Sequence, residues 1–312
     1  MDYMGIIKRG WSHTWNNKFL WALGFLAALG SSGAYSNSGR YTFNPDDASA
    51  WMTPERAAAL TGGIIAFACI GFIVGIILWL VSLGARGGLI RAVADLELGT
   101  GKPTFGEAFR AGWKHVGRLV GMTILLYIVP TILILVLVAG FITVVGGAAV
   151  MGSNMDDPSG LMAGIGGLSL VFLCLLCLLI PFMIILEFIY PFAFRGIVLR
   201  GMGARESLRH GWAVLKENLG EIIILGLGFL LIGLVVSFIA LAILAPIALI
   251  AGVPFMALMR SDATALQGIL VALGLLVTVV VSALISAITT SWQSSTFTLA
   301  YLEWTGKNVA LD

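Results

Sequence analysis

A chain of 312 residues that is 59% hydrophobic and 11% charged, with a mean hydropathy of +1.00, has too little polar surface to cover a soluble globule. Its 18 basic and 16 acidic residues leave a net charge of +2, far from the excess a nucleic-acid binder carries. A cytosolic enzyme, a disordered chain and a disulfide-rich secreted module are excluded, and a multi-span membrane protein remains.

A helix needs about 20 apolar residues to cross a ~30 Å hydrocarbon core. Runs that meet or approach that length are Phe19–Ala34, Ala59–Leu83, Leu119–Val150, Leu161–Phe194, Ile222–Val253 and Leu266–Thr290. The first is short. Lys8 and Arg9 ahead of it and Ser32-Gly33-Ala34 at its end outline a cleavable signal. The segment preceding it recurs later in the chain, however, which a signal has no reason to do, so it is read as a span. Between spans, Asn44-Pro45-Asp46-Asp47 and Asp157-Pro158-Ser159-Gly160 are turn signals, and Thr53-Pro54-Glu55 reads as a helix start capped by Thr53. Cys69, Cys174 and Cys177 lie inside apolar runs and read as small hydrophobes.

The positive charges set the topology. Of the 18 Lys and Arg residues, only Arg40, Arg56 and Arg260 fall on one side of the predicted spans. The others flank span one, lie between spans two and three or four and five, or follow span six. Basic residues stay on the cytoplasmic side. The expectation is an inner (cytoplasmic) membrane protein with both termini in the cytoplasm. The loops at Tyr35–Arg56, Gly152–Gly160 and Pro254–Asp262 would then face out.

An internal repeat is the most informative pattern. Ile7-Lys8-Arg9-Gly10-Trp11, Phe109-Arg110-Ala111-Gly112-Trp113 and Leu208-Arg209-His210-Gly211-Trp212 precede spans one, three and five. The ends of spans two and four also match, Arg86-Gly87-Gly88-Leu89-Ile90-Arg91 against Arg195-Gly196-Ile197-Val198-Leu199-Arg200. The predicted fold is all-α: a polytopic bundle of six transmembrane helices, built as three parallel hairpin repeats within a single membrane domain (about 1–100, 101–202 and 203–312). An interfacial amphipathic helix precedes each hairpin. In the second copy Phe105, Ala108, Phe109, Gly112, Trp113, Val116 and Val120 recur at steps of three and four, with Arg110, Lys114 and Arg118 opposite. Thr104 and Glu107 form a capping box behind Pro103. Such helices lie in the headgroup region, with Trp11, Trp113 and Trp212 as anchors and Arg110 and Arg209 toward anionic lipid. They serve as structural elbows or as docking sites for lipid headgroups or a partner.

The stretch Leu89-Ile90-Arg91-Ala92, then Gly101-Lys102-Pro103-Thr104-Phe105-Gly106-Glu107-Ala108-Phe109, resembles bacterial multi-pass families of unassigned role. The ending Thr296-Phe297-Thr298-Leu299-Ala300-Tyr301-Leu302-Glu303 looks like their closing segment. The nearest named relative is the membrane domain attached to some glycerophosphodiester phosphodiesterases. In those fusions catalysis belongs to a separate soluble barrel, so the resemblance implies proximity to glycerophospholipid and no hydrolase activity.

Buried polarity is sparse. Glu187 is the one acid well inside a span, bracketed by Pro181 and Pro191 and close to Tyr190. It is either a paired structural acid or a protonatable, cation-binding group in a pathway. A polar run from Thr289 to Thr296, including Gln293, could line a vestibule with it. Glu187, Tyr190, Gln293 and Thr296 are therefore the candidate binding residues. No catalytic motif is present, and no cofactor or metal site is expected: His13, His115 and His210 do not keep the register that a shared zinc site would need. The expected partners are membrane lipids, with another membrane-protein subunit as the further candidate. The expected role is a non-enzymatic scaffold, assembly or lipid-associated accessory protein, and the alternative is a transporter or channel using Glu187.

Overall fold

The computed structural model describes residues 2–30, 54–152, 159–258 and 265–306. Most of the three predicted outer loops, the Thr53 cap and Lys307 lie outside the described residues; the described parts of those loops, among them residues 54–56, 159–160 and 254–258, are helical. Among those described, every regular element is a helix: α1 Tyr3–Asn16, α2 Phe19–Leu29, α3 Pro54–Leu98, α4 Phe105–Trp113, α5 Val116–Gly152, α6 Ser159–Arg200, α7 Ala204–Glu217, α8 Leu219–Leu258 and α9 Ala265–Trp304. Five stretches are long and apolar enough to cross a membrane: Ala66–Leu98, Val116–Thr143, Phe172–Arg200, Leu219–Ile250 and Leu266–Trp304. The protein is a multi-pass membrane protein. The first predicted span appears as α2, whose 11 residues rise only about 16 Å, roughly half a hydrocarbon core.

Helix boundaries follow from local chemistry. Asp2 caps α1 by accepting from the Gly5 amide at 2.9 Å. The capping box at α4 is complete: Thr104 Oγ1 accepts from the Glu107 amide, and Glu107 accepts from the Thr104 amide at 2.8 Å. Helices α3, α6 and α9 are followed by Gly99, Gly201 and Gly306 at φ +69°, +64° and +69°. This left-handed backbone favours glycine and stops a helix.

The described chain divides into two compact units. The first comprises residues 1–116 and 220–308. In it, α4 lies on α3, α2 packs against both α9 and α3, and α1 crosses α9. Its core joins Ile6 of α1 and Leu20 and Leu23 of α2 to Leu89, Val93, Leu225 and Leu299, which come from one end of each long helix of the unit. Beyond that end the spans bury almost nothing: Phe67 is 80% exposed and Leu249 70%. Apolar helix association gains nothing from excluding lipid, so close backbone contact must hold the helices together. Small residues supply it. A Cβ at Gly24 would collide with the Ala287 carbonyl and the Ser291 side chain of α9. Hydroxyls finish the seam, Ser291 donating to the Leu20 carbonyl and Ser82 to the Ala27 carbonyl, each at 2.7 Å.

The second unit comprises residues 117–219, in which α7 lies on α6. Its buried side chains include Leu119 and Met122 of α5, Phe192, Ala193, Ile197 and Leu199 of α6, and Val214 and Leu215 of α7. Arg118 reaches the Gly201 carbonyl at 2.7 Å and fastens the start of α5 to the end of α6.

Candidate functional site

The three Gly-Trp segments fall in α1, α4 and α7, and they share one arrangement. Gly10, Gly112 and Gly211 are buried, while Trp11, Trp113 and Trp212 are 39%, 46% and 44% exposed. In the first unit, a Cβ at Gly112 would collide with the backbone of Gly84 and Gly88 on α3. One at Gly10 would strike the Thr296 hydroxyl of α9. In the second unit, a Cβ at Gly211 would stand 2.9 Å from the Ala193 amide nitrogen on α6. Each helix therefore presses its glycine onto a long helix and leaves the neighbouring indole partly exposed. Arg110 and Arg209 are exposed on α4 and α7. Phe105, Phe109 and Trp113 stack in sequence at 6.2 and 5.6 Å along α4.

The polar run of α9 is turned to packing. Ser291, Ser295, Thr296 and Thr298 are buried. Ser295, Thr296 and Thr298 donate to carbonyls one turn back at 2.7, 2.9 and 2.7 Å. Thr296 thus sits against Gly10, and Gln293 is half-buried.

Glu187 of α6 lies in the second unit, where Tyr127 of α5 donates to it at 3.0 Å. Tyr190 packs beside Tyr127 at 6.3 Å and against Phe194 at 5.7 Å. Pro191 has no N–H to offer the carbonyl four residues back, which belongs to Glu187. Carboxylate, phenol and freed carbonyl make a small polar spot in an apolar stretch.

A charged cluster escaped the sequence reading. Arg9 of α1 bridges two helix ends in the first unit, bonding Glu97 of α3 at 2.7 Å and also Glu303 of α9. His13 meets the other oxygen of Glu97 at 3.0 Å. The hydrogen bond to Glu303, with both carboxylates nearby, holds the Arg9 pKa above its ordinary value. The available signal was the shared Leu-Glu at each helix end, Leu96-Glu97 and Leu302-Glu303. Glu221 pairs with the Trp304 indole across α8 and α9. Among the described residues no group of three or more His, Cys, Asp or Glu side chains is placed to hold a metal. His115 instead donates to the Ala111 carbonyl at 3.1 Å.

Comparison with known proteins adds a family and no activity. The model of a family of unknown function (DUF7544) matches residues 17–311. No curated protein and no solved structure shows significant similarity to the chain.

Proposed function

The chain belongs to the family of unknown function DUF7544, and from its own residues we propose a non-enzymatic integral membrane scaffold that acts at the lipid surface. In this reading it sits in a bacterial cytoplasmic membrane with both termini inside. Six spans form three parallel hairpins, with α2 as the first. Glycine-on-helix packing in α1, α4 and α7 and the left-handed glycine after each return helix support three copies of one unit. Short-motif resemblance to membrane domains attached to glycerophosphodiester phosphodiesterases fits the lipid-associated role.

One observation carries the proposal. Each Gly-Trp helix buries its glycine and exposes its indole, with exposed Lys8, Arg110 or Arg209 next to that pair. That is how a helix is built to lie in headgroups, where each cation near an anionic surface contributes about 1 kcal/mol. The test is native mass spectrometry of the protein released gently from its own membranes. A stoichiometric protein partner together with anionic lipid supports the scaffold. A lone chain holding one small solute overturns it.

A second reading, a conduit for protons or small cations, draws on Glu187, Tyr127 and the carbonyl freed by Pro191. It requires proton or cation flux in proteoliposomes that Glu187→Gln abolishes. The scaffold reading expects no such flux from the wild-type chain.

A further inference from the structure

A groove of about 600 Å³ runs beside α1 in the first unit, bounded by α1, α8 and α9. Ile7 and Trp11 line it from α1, Leu231 and Val235 from α8, and Trp292 from α9. Lys8 is its one charged lining residue. The groove is preformed. Trp292 donates its indole N–H to the Ile7 carbonyl at 3.3 Å and meets Trp11 edge-on at 5.1 Å. Phe229 supports Trp292 from behind, with ring centroids 6.2 Å apart. The Ile7 side chain lies against α8 beside Gly228.

Charge and shape together select the occupant. Arg9 is taken up by Glu97 and Glu303, whose two carboxylates outnumber its one charge. Exposed Lys8, one residue earlier, makes no ion pair among the described residues. An available ammonium therefore stands beside an apolar trough flanked by two indoles, the side chains that sit at headgroup depth. The trough opens onto the exposed stripe Leu231, Val235 and Phe238 of α8. From Val235 to Leu249 that helix rises about 21 Å, more than one leaflet of a ~30 Å core. We propose that this groove is a specific site for an anionic phospholipid, its phosphate on Lys8 and one acyl chain along Leu231 and Val235. The proposal rests on the lipid-associated reading above and gives that reading an address.

The test is a native mass spectrometry titration of the delipidated full-length protein with dioleoyl phosphatidylglycerol and, separately, dioleoyl phosphatidylcholine. The wild-type chain binds its first phosphatidylglycerol in preference to phosphatidylcholine. Lys8→Gln weakens that first event about fivefold, the effect of one cation near an anionic surface, and leaves phosphatidylcholine unchanged. Val235→Trp fills the trough and weakens both lipids, while its elution volume and melting temperature match the wild type. Lys114→Gln, an exposed cation just past α4, changes neither. Unaltered selectivity in Lys8→Gln, or full competition by inorganic phosphate, overturns the proposal. Equal losses in Lys8→Gln and Lys114→Gln also overturn it, yet leave a diffuse lipid-associated scaffold standing. A co-purifying protein displaced by Val235→Trp would assign the groove to that protein instead. Failure of the wild type to retain any lipid removes both readings.

Discussion

Helix α4 on α3 and helix α7 on α6 begin from the same sequence motif and pack differently. At the first seam backbone faces backbone: Gly112 lies on Gly84, Gly87 and Gly88, and a Cβ on Gly84 would reach within 2.8 Å of the Trp113 ring. At the second seam Gly211 lies on Ile189 and Ala193, with the nearest approaches to a Cβ at 2.9, 3.1 and 3.2 Å. The position before the glycine also differs, Ala111 in one and His210 in the other. The lesson is that the buried glycine and exposed tryptophan define the motif, while the partner helix decides how much change it tolerates. The first seam has no slack. The second is tight by a smaller margin, and it carries a titratable group.

Substitution at the glycines breaks this comparison most strongly. Gly112→Ala is expected to cost about 1–3 kcal/mol, because backbone on both sides cannot yield. Gly211→Ala is expected to cost less, since the backbone atoms its Cβ would meet stand at 2.9 and 3.1 Å instead of 2.1 Å and must shift by a smaller distance, and alanine favours helix. Thermal unfolding of both variants in one detergent checks the ranking, and equal losses would remove the distinction.

Next in size is Arg9→Ala, which unties α1 from the ends of α3 and α9. The ion pairs are partly exposed, so about 1 kcal/mol is expected. Tryptic cleavage after Lys18 should then speed up about fivefold.

The pH responses are smaller. Burial first, and Arg200 second, hold the His210 pKa below its ordinary 6.5, against weaker opposite pulls from Glu217 and Glu206. Stability from neutral His210 is therefore present above pH 6.5 and is lost as pH falls below it. Melting temperatures between pH 7.5 and 5.5 should decline less in His210→Leu than in the wild type. Smallest is Glu107, whose pKa is held below 4.5 chiefly by its bond from the Thr104 amide. Its contribution is present above pH 4.5 and is lost as pH falls through the lower folded value. Glu107→Ala should lower the melting temperature slightly at pH 7 and not at all once the carboxyl is protonated.

Periodicity made the Gly-Trp helices and the Thr104–Glu107 box legible, because both are written within one or two helical turns. The Arg9, Glu97 and Glu303 cluster was not, since its members lie 88 and 294 residues apart and no local spacing pairs them. The polar run of α9 shows a second limit. Hydropathy records that Ser291, Ser295 and Thr296 are polar, but not that their hydroxyls are satisfied by carbonyls inside a helix seam. Glu187 was legible as an oddity in an apolar run, whereas its partner Tyr127, on another helix, was not.

Scaffold and conduit part most clearly over where water reaches. Paired footprinting of the protein in lipid nanodiscs would decide, with a bilayer-soluble diazirine for the lipid phase and hydroxyl radicals for the aqueous phase. The account predicts diazirine labelling around the exposed faces of α3, α6, α8 and α9, with radical labelling ending at α1, α4 and α7. A continuous radical-labelled stripe running along α6 past Glu187 and on through the apolar span would contradict it.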